Sequence, residues 1–482
     1  MKAINYPNTL WVLFVLTLSL VNPLVLGDGA GYYSYVRSML VQHNLRFEDD
    51  WLNSNMPFVD HTVDARGRIN AGYTATGHLP NHYSVGPSML WAPFLVPVHL
   101  VMVVLVKTGI PVEANGFTKP YLVTAALATA LYGFLGLYLS FRFARLFVAE
   151  IWAFLATLGI WFASSLPVYM YFNPFYSHAQ SAFSVAIFLW YWHRTRVERT
   201  VAQWVVLGLI SGLMLNIYYL NIAILLLPLL ESLRRYRQAW RVPGRDRKAL
   251  RTLLGSNTIY CCVTVAAFLP SLITRQIIYG NPLQFGYEPS SWMRPALWQT
   301  LFSSNHGLLL WTPMVTISLV GLALLRRCDR ELSAYCLAAF VAMYYIVACH
   351  PDWHGVSSFG NRFFISLTPF FILGLAIFLQ EASRRFNQAR VAVATGVLVI
   401  GALMVWNMAF IFQWGIGLIP HVGPISWKQM AYNQVVVVPA RLGGSLKSYF
   451  TNRGEMMERL KLQDIQRVRR EYGVGPTDLK KP

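Results

Sequence analysis

Charge is what this sequence has least of. Only 13% of its 482 residues are Asp, Glu, Lys or Arg, against about a quarter in a soluble domain. Apolar runs of bilayer-spanning length recur along the chain, which excludes a water-soluble globule. Acids are scarcer than bases, 21 against 40 Lys and Arg, leaving a formal net charge of +19. Cysteine is nearly absent as well. The five residues Cys261, Cys262, Cys328, Cys336 and Cys349 lie in or beside apolar runs, and the long polar loop after the first run has none, so no disulfide framework is implied. The chain has no solenoid period and no low-complexity tract, which excludes a repeat array. What is present is 55% hydrophobic residues and a mean hydropathy of +0.42. Together these define an all-α polytopic membrane protein with one integral domain.

A charge of +19 would suit a nucleic-acid partner if it were spread over a surface, but here it is packed into short loops between apolar runs. Arg234 to Arg251 holds eight Lys or Arg against one acid, Asp246, which is the pattern of cytoplasmic loops. The stretches 141–145, 193–199, 232–254, 326–330 and 384–390 share it and are expected inside. The loops 27–85, 167–176, 274–305 and 350–361 are richer in Trp, Tyr, His, Asn and Pro and are expected outside. The N-terminal run has a thin basic region, exceeds a signal-peptide core in length and carries Pro23, so Thr9 to Leu26 reads as a retained first span.

Further apolar runs fall near 86–106, 120–141, 148–166, 177–192, 203–231, 255–273, 306–325, 332–349, 362–380 and 391–413. Keeping the basic loops on one side requires 203–231 to cross twice, through two short helices hinged near Asn216 to Asn221. It also requires 86–106, with Pro87, Pro93 and Pro97, to be interfacial or re-entrant. The result is about eleven transmembrane helices with the N-terminus inside. Residues 1–413 form the membrane domain and 414–482 a short, partly amphipathic tail.

Chemistry is expected where polar residues collect, on the outer face. Asp28 ends the first apolar run, and Asp28, Tyr32 and Tyr35 recur at i, i+4 and i+7, one face of a helix. Aromatic rings beside an acid suit a sugar, and they read equally as an interfacial aromatic belt above a capping Asp. Glu48, Asp49 and Asp50 form a second acidic cluster, able to divide base and metal-holding work or to be a solvated acidic turn. His78 and His82 have the i, i+4 spacing of zinc ligands, but Pro80 between them argues against the helix this needs. His82 then fits a donor to a phosphate or hydroxyl, beside Tyr83. Arg275 and Arg362 each stand at an outer membrane boundary, where a guanidinium matches phosphate oxygens or simply snorkels. His306 opens the span between them and would complete a phosphate-facing arc.

The ordered set DGAGYY after the first span, HYSVGPSMLWAPF before an apolar segment, YGNPLQFGY with LFSSNHGLLLWTP, and WHGVSSFGNRFF before a late span resembles bacterial integral-membrane glycosyltransferases of the C-type (GT-C) superfamily. These are similar in plan to protein O-mannosyltransferases and lipid A aminoarabinose transferases. The resemblance covers roughly residues 9–413. It implies transfer of a sugar from a polyprenyl-phosphate carrier to a glycan, lipid or protein acceptor, on the outer face of the cytoplasmic membrane. It implies Asp28 as catalytic base or metal-site acid, Asp50 or Asp49 as a second acid, and Arg362 at the carrier phosphate. Arg275, His306, His82, Tyr32 and Tyr83 join the substrate side. Many relatives carry Asp-Glu at the first site where this chain has Asp28-Gly29, which leaves the helper carboxylate unassigned and a divalent metal open. A lipid-linked-sugar flippase would carry charge through the bilayer, whereas the span middles here are nearly charge-free. An envelope polysaccharide ligase or polymerase differs from a monosaccharide transferase only in its product, and a noncatalytic scaffold has no use for the clustered outer groups.

The charge map predicts that an alkaline phosphatase reporter fused within loop 27–85 is active and one fused within 232–254 is inactive. The reverse pattern would overturn the sidedness.

Overall fold

The computed structural model describes residues 5–53, 69, 72–241, 247–285, 291–456 and five more up to Gln466. Among them every extended element is a helix. In order these are α1 (Tyr6–Thr17), α2 (Asp28–Arg37), α3 (Glu48–Asn53), α4 (Gly86–Lys107), α5 (Lys119–Ala144), α6 (Glu150–Phe162) and α7 (His178–Thr195). Next come α8 (Val201–Ile217), α9 (Leu226–Arg241), α10 (Arg247–Tyr279), α11 (Leu297–Phe302), α12 (Leu308–Trp311) and α13 (Pro313–Leu324). The last are α14 (Arg330–Cys349), α15 (Thr368–Ser383), α16 (Ala389–Gly415), α17 (Trp427–Tyr432) and α18 (Val438–Thr451). Among the described residues, six helices are by length and composition able to cross a membrane: α4, α5, α10, α14, α15 with its preceding turn, and α16.

The basic loops gather at one end of the bundle. Arg196 pairs with Asp329, Arg234 with Glu331, and Arg327 with Glu381 at 2.9 Å. Glu231, buried, accepts from Arg199, Arg235 and the Trp192 indole. These pairs join the turns after α7 and α13 to α9, to the first turn of α14 and to the last turn of α15. Three shorter apolar helical segments, Tyr6–Leu20, Glu150–Phe162 and Val201–Ile217, accompany the six.

The double crossing of 203–231 is present. The chain breaks at Tyr218, in extended conformation (φ −156°, ψ 115°), and resumes as a 3₁₀ turn over Tyr219–Leu225. Two expectations need correction. The first helix is shorter than Thr9 to Leu26: it ends in a 3₁₀ turn at Leu20, and Asn22 is tied to the carbonyls of Tyr171 and Phe172. Residues 86–106 form one unbroken helix, α4, able by length to cross, with Pro93 and Pro97 inside it. Ser88 in its first turn bonds Val36 N and Tyr32 O of α2, and Gly116 beyond its end accepts from the Tyr33 hydroxyl of α2.

Helix contacts are close where small residues face each other, as expected when lipid supplies no hydrophobic drive for association. A Cβ on Gly208 or Gly212 of α8 would collide with Val263 or Ala267 of α10, and one on Gly321 of α13 with the Gly374 backbone of α15. The buried core is continuous through α1, α5, α6, α7, α13 and α15.

The polar loop after α1 is anchored by Arg37, 2% exposed, whose Nε donates to Asp50 Oδ1 at 2.7 Å and whose guanidinium lies over Phe117 at 4.7 Å. Removing one partner of such a buried pair costs about 3–5 kcal/mol. Asp50→Ala is therefore expected to lower the thermal unfolding midpoint in detergent sharply, whereas Asp49→Ala, half-exposed and 3.8 Å from Arg37, is expected to leave it nearly unchanged.

Candidate functional site

A cavity of about 1660 Å³ lies at the end of the bundle opposite the basic loops. At its centre Asp28 and Arg362 meet: the Arg362 Nη2 stands 2.8 Å from Asp28 Oδ2. Asp28 reaches this position as the first residue of α2, and Arg362 as the first residue of the 3₁₀ turn Arg362–Leu367 that leads into α15. The guanidinium is buried, lies 5.1 Å from the centre of the Tyr176 ring, and has its Nε unpaired among the described residues. The carboxylate is more open, its side chain 27% exposed.

The glycines of DGAGYY explain how the second partner approaches. Tyr83 lies directly on Gly31, where any Cβ would fall inside its ring, and from there its hydroxyl donates to Asp28 Oδ1 at 3.3 Å. Gly29 faces Phe175, and a Cβ there would stand 2.7 Å from Phe175 Cβ. The place where relatives are expected to carry a second acid therefore has no room for a side chain. Tyr32 packs against Tyr83 at 4.9 Å and accepts from Ser177 at its hydroxyl, with one edge on the cavity. His82 lines the cavity and lies 4.1 Å from the Tyr83 ring. Burial lowers its pKa, opposed by the nearby Asp28 charge.

Of the expected site residues, Asp28, Arg362, Tyr32, His82 and Tyr83 come together on this wall. Four do not. Asp50 is consumed by its ion pair with Arg37, and Asp49 points to solvent beside Gln42; neither lines the cavity. Arg275 is buried with its two Nη groups committed to protein, Nη1 to Asn81 O, and Nη2 to His82 O at 3.1 Å, Tyr83 O and the Tyr219 hydroxyl at 3.0 Å, while its Nε is unpaired among the described residues. It clamps the 81–83 backbone instead of facing a phosphate. Tyr35 supports the same segment, donating to Asn81 O and Tyr83 O. His306 is buried in left-handed conformation (φ 57°), its ring 4.5 Å from Trp311, and is absent from the cavity wall. The outer-loop residues Asp60, His61, Asp64 and Glu288 lie outside the described residues.

Sequence reasoning counts His178 among the outer polar residues without giving it a role, and misses Tyr176. His178 is buried in the first turn of α7 with Nδ1 unpaired among the described residues, and both it and Tyr176 line the cavity. A histidine opening a helix beside the aromatic-rich stretch 167–176 was the available signal. Sequence reasoning also set the tail apart from the site. In the structure α18 returns to the first span, where Tyr449 and Arg453 bond Ser19 O and Arg453 bonds Val21 O. Its Leu442 and Leu446 form part of the cavity wall.

The groups around Asp28 are a guanidinium and a phenol, donors and not metal ligands. No set of three or more His, Cys, Asp or Glu able to hold a metal occurs among the described residues.

No protein-family profile matches the chain, and no curated protein does. Among solved structures it is similar to ArnT from Cupriavidus metallidurans in the apo state, at 15% identity and a TM-score of 0.49, covering 96% of this chain and 75% of that one. It is similar also to the apo oligosaccharyltransferase of Archaeoglobus fulgidus, at 13% identity and a TM-score of 0.45, covering 91% of this chain and 64% of that one.

Arg275→Met takes a donor from the Asn81, His82 and Tyr83 carbonyls, of which Asn81 O and Tyr83 O keep the Tyr35 hydroxyl and His82 O does not, at about 1–3 kcal/mol for a buried group left unsatisfied. A thermal unfolding midpoint lowered by several degrees is expected, with Arg275→Lys intermediate because an ammonium lacks the fork. An unchanged midpoint in both would refute the clamp.

Proposed function

We propose that the chain is a glycosyltransferase that moves a sugar from a polyprenyl-phosphate carrier to an envelope acceptor on the outer face of the cytoplasmic membrane. The observation that carries this reading is the Asp28–Arg362 pair, set in a cavity that joins a polar centre to an apolar arm. That arm is lined by Phe162 of α6, Met404 and Met408 of α16, and Leu442 and Leu446 of α18. An amphiphile with an anionic head and a long hydrocarbon chain fits such a space, its phosphate at Arg362 and its chain along α16.

The chemistry follows from the two partners. Arg362 turns from Asp28 to the carrier phosphate, whose oxygens match its fork. Freed of its partner, the Asp28 carboxylate takes the proton of the acceptor O–H or N–H. The acceptor atom bonds the anomeric carbon as the carbon–oxygen bond to phosphate breaks, and the phosphate leaves with the electron pair. A phosphate is a good leaving group, so stabilisation of its charge by Arg362 replaces acid catalysis. A single displacement inverts the anomeric centre. Tyr83 keeps the carboxylate oriented, and His82 stands beside the acceptor path.

Asp28→Asn is expected to reduce kcat by about 10²–10⁴-fold, the range for loss of a general base, with polyprenyl-phosphate binding retained. Arg362→Ala should weaken binding of polyprenyl phosphate to the purified protein and reduce kcat by about 10²–10³-fold. Both are measured with purified protein and a matched polyprenyl-phosphate-sugar donor; full transfer by Asp28→Asn would sink the assignment.

A further inference from the structure

The helix α7 starts inside the protein without a side-chain cap. Its first residue, His178, follows Ser177, whose hydroxyl makes no bond to the helix and donates instead to the Tyr32 hydroxyl at 3.1 Å. The first N–H groups of a helix have no partner within it, and this end carries about half a positive charge. Such an end is suited to an anion. Here it is enclosed: Ser177, Ala179 and Gln180 are fully buried and His178 is 2% exposed.

Side chains of the same turn also lack partners. His178 Nδ1 and both amide atoms of Gln180 are buried and unpaired among the described residues. His178 lines the cavity and Gln180 does not, so the imidazole is the group that meets a ligand. Its ring is fixed by Tyr169 at 4.8 Å, Tyr218 at 5.4 Å and Tyr176 at 6.1 Å.

This turn stands between the two halves of the Asp28–Arg362 pair. Ser177 joins it to Tyr32, one helical turn after Asp28, and Ser181 joins it to Ser366 at 2.7 Å, in the turn that Arg362 opens. Tyr176, which packs on His178, also lies 5.1 Å from the Arg362 guanidinium. Arg362 Nε and His178 Nδ1, both buried and unpaired among the described residues, therefore belong to one wall of one cavity. A guanidinium, a ring N–H and a positive helix end are all suited to an anion with several oxygens.

We infer that His178 and the first turn of α7 hold the phosphate of the lipid carrier together with Arg362, with His178 Nδ1–H donating to one phosphate oxygen and the guanidinium to others. This rests on the transferase reading and names the groups that complete its donor site. Charge that gathers on the phosphate as its bond to the anomeric carbon breaks then meets donors already in place. The same groups separate a phosphorylated carrier from its free alcohol.

The test measures binding of two probes, a polyprenyl phosphate and the matching polyprenol, to the purified full-length chain by titration calorimetry. The amide of Asn reaches the place of the imidazole Nδ1, whereas that of Gln reaches the place of Nε2. His178→Ala and His178→Gln are expected to bind polyprenyl phosphate about 10–100-fold more weakly, the range for a hydrogen bond to a charged group, with His178→Asn within about 3-fold of the unsubstituted chain. Polyprenol is expected to bind all four proteins alike. Unweakened phosphate binding by His178→Ala or His178→Gln, an Asn variant no better than Gln, or polyprenol weakened as much as polyprenyl phosphate would each overturn the inference; the last is what a purely structural histidine predicts. If the alanine variant does not fold, the contrast between Asn and Gln still decides. An unsubstituted chain that does not prefer polyprenyl phosphate to polyprenol would instead overturn the donor reading, and this inference with it.

Discussion

Arg362 and Asp28 come from opposite ends of the chain and satisfy each other at 2.8 Å in a setting where neither charge is tolerable alone. That requirement reaches outward through the structure. The carboxylate is aimed by the Tyr83 hydroxyl, Tyr83 is seated on Gly31, and the backbone that carries Tyr83 is held by Arg275 and Tyr35. The guanidinium rests against Tyr176. Because Asp28 is partly open to the cavity, the pair is worth less than a fully buried one, and that moderate strength has a use. A contact too strong to break would be a strut, whereas this one can yield to a competing anion.

The competition gives the site its order of events. A phosphate arriving at Arg362 offers the guanidinium a bidentate partner that a single carboxylate oxygen does not match. In the proposed reaction Arg362 transfers its interaction to the phosphate, and Asp28 loses its ion partner. On the proposed mechanism, a nucleophile is then activated only when the donor is seated. No second acid is needed for this coupling, which agrees with the absence of space beside Gly29.

The membrane architecture was legible because it follows from charge. Arg and Lys at loops such as 193–199 and 326–330 cannot sit in hydrocarbon, and keeping them together forced a break near Asn216 to Asn221, found at Tyr218. The form of α4 was not legible, since three prolines in one run suggest interruption and the helix absorbs them. In the site, the addresses of Asp28 and Arg362 were readable as charges at membrane boundaries. The fates of Arg275 and Asp50 were not. Sequence gives the position of a charge but not of its partner, and the partners of Arg275 are mostly backbone carbonyls, which leave no mark in sequence. The pairing of Asp50 with Arg37 was likewise hidden by the neighbouring acids Glu48 and Asp49, which made the cluster look solvated.

The apolar lining bears on where selectivity resides. Moving a hydrocarbon chain from water into a protein groove gains about 0.8 kcal/mol per methylene, but a chain taken from the bilayer is already out of water and gains almost none of it. The groove along α16 and α18 therefore contributes direction, and affinity must come from the head. Of the polar groups that line the cavity, Asp28, Arg362, Tyr83, His82, Tyr176 and His178 lie at or near the pair. Discrimination among membrane lipids then depends on charge and hydrogen bonding within a few ångströms of the reacting atoms, in surroundings of low dielectric where each such interaction is strongest. A site of this kind can accept chains of varied length while remaining strict about the head group.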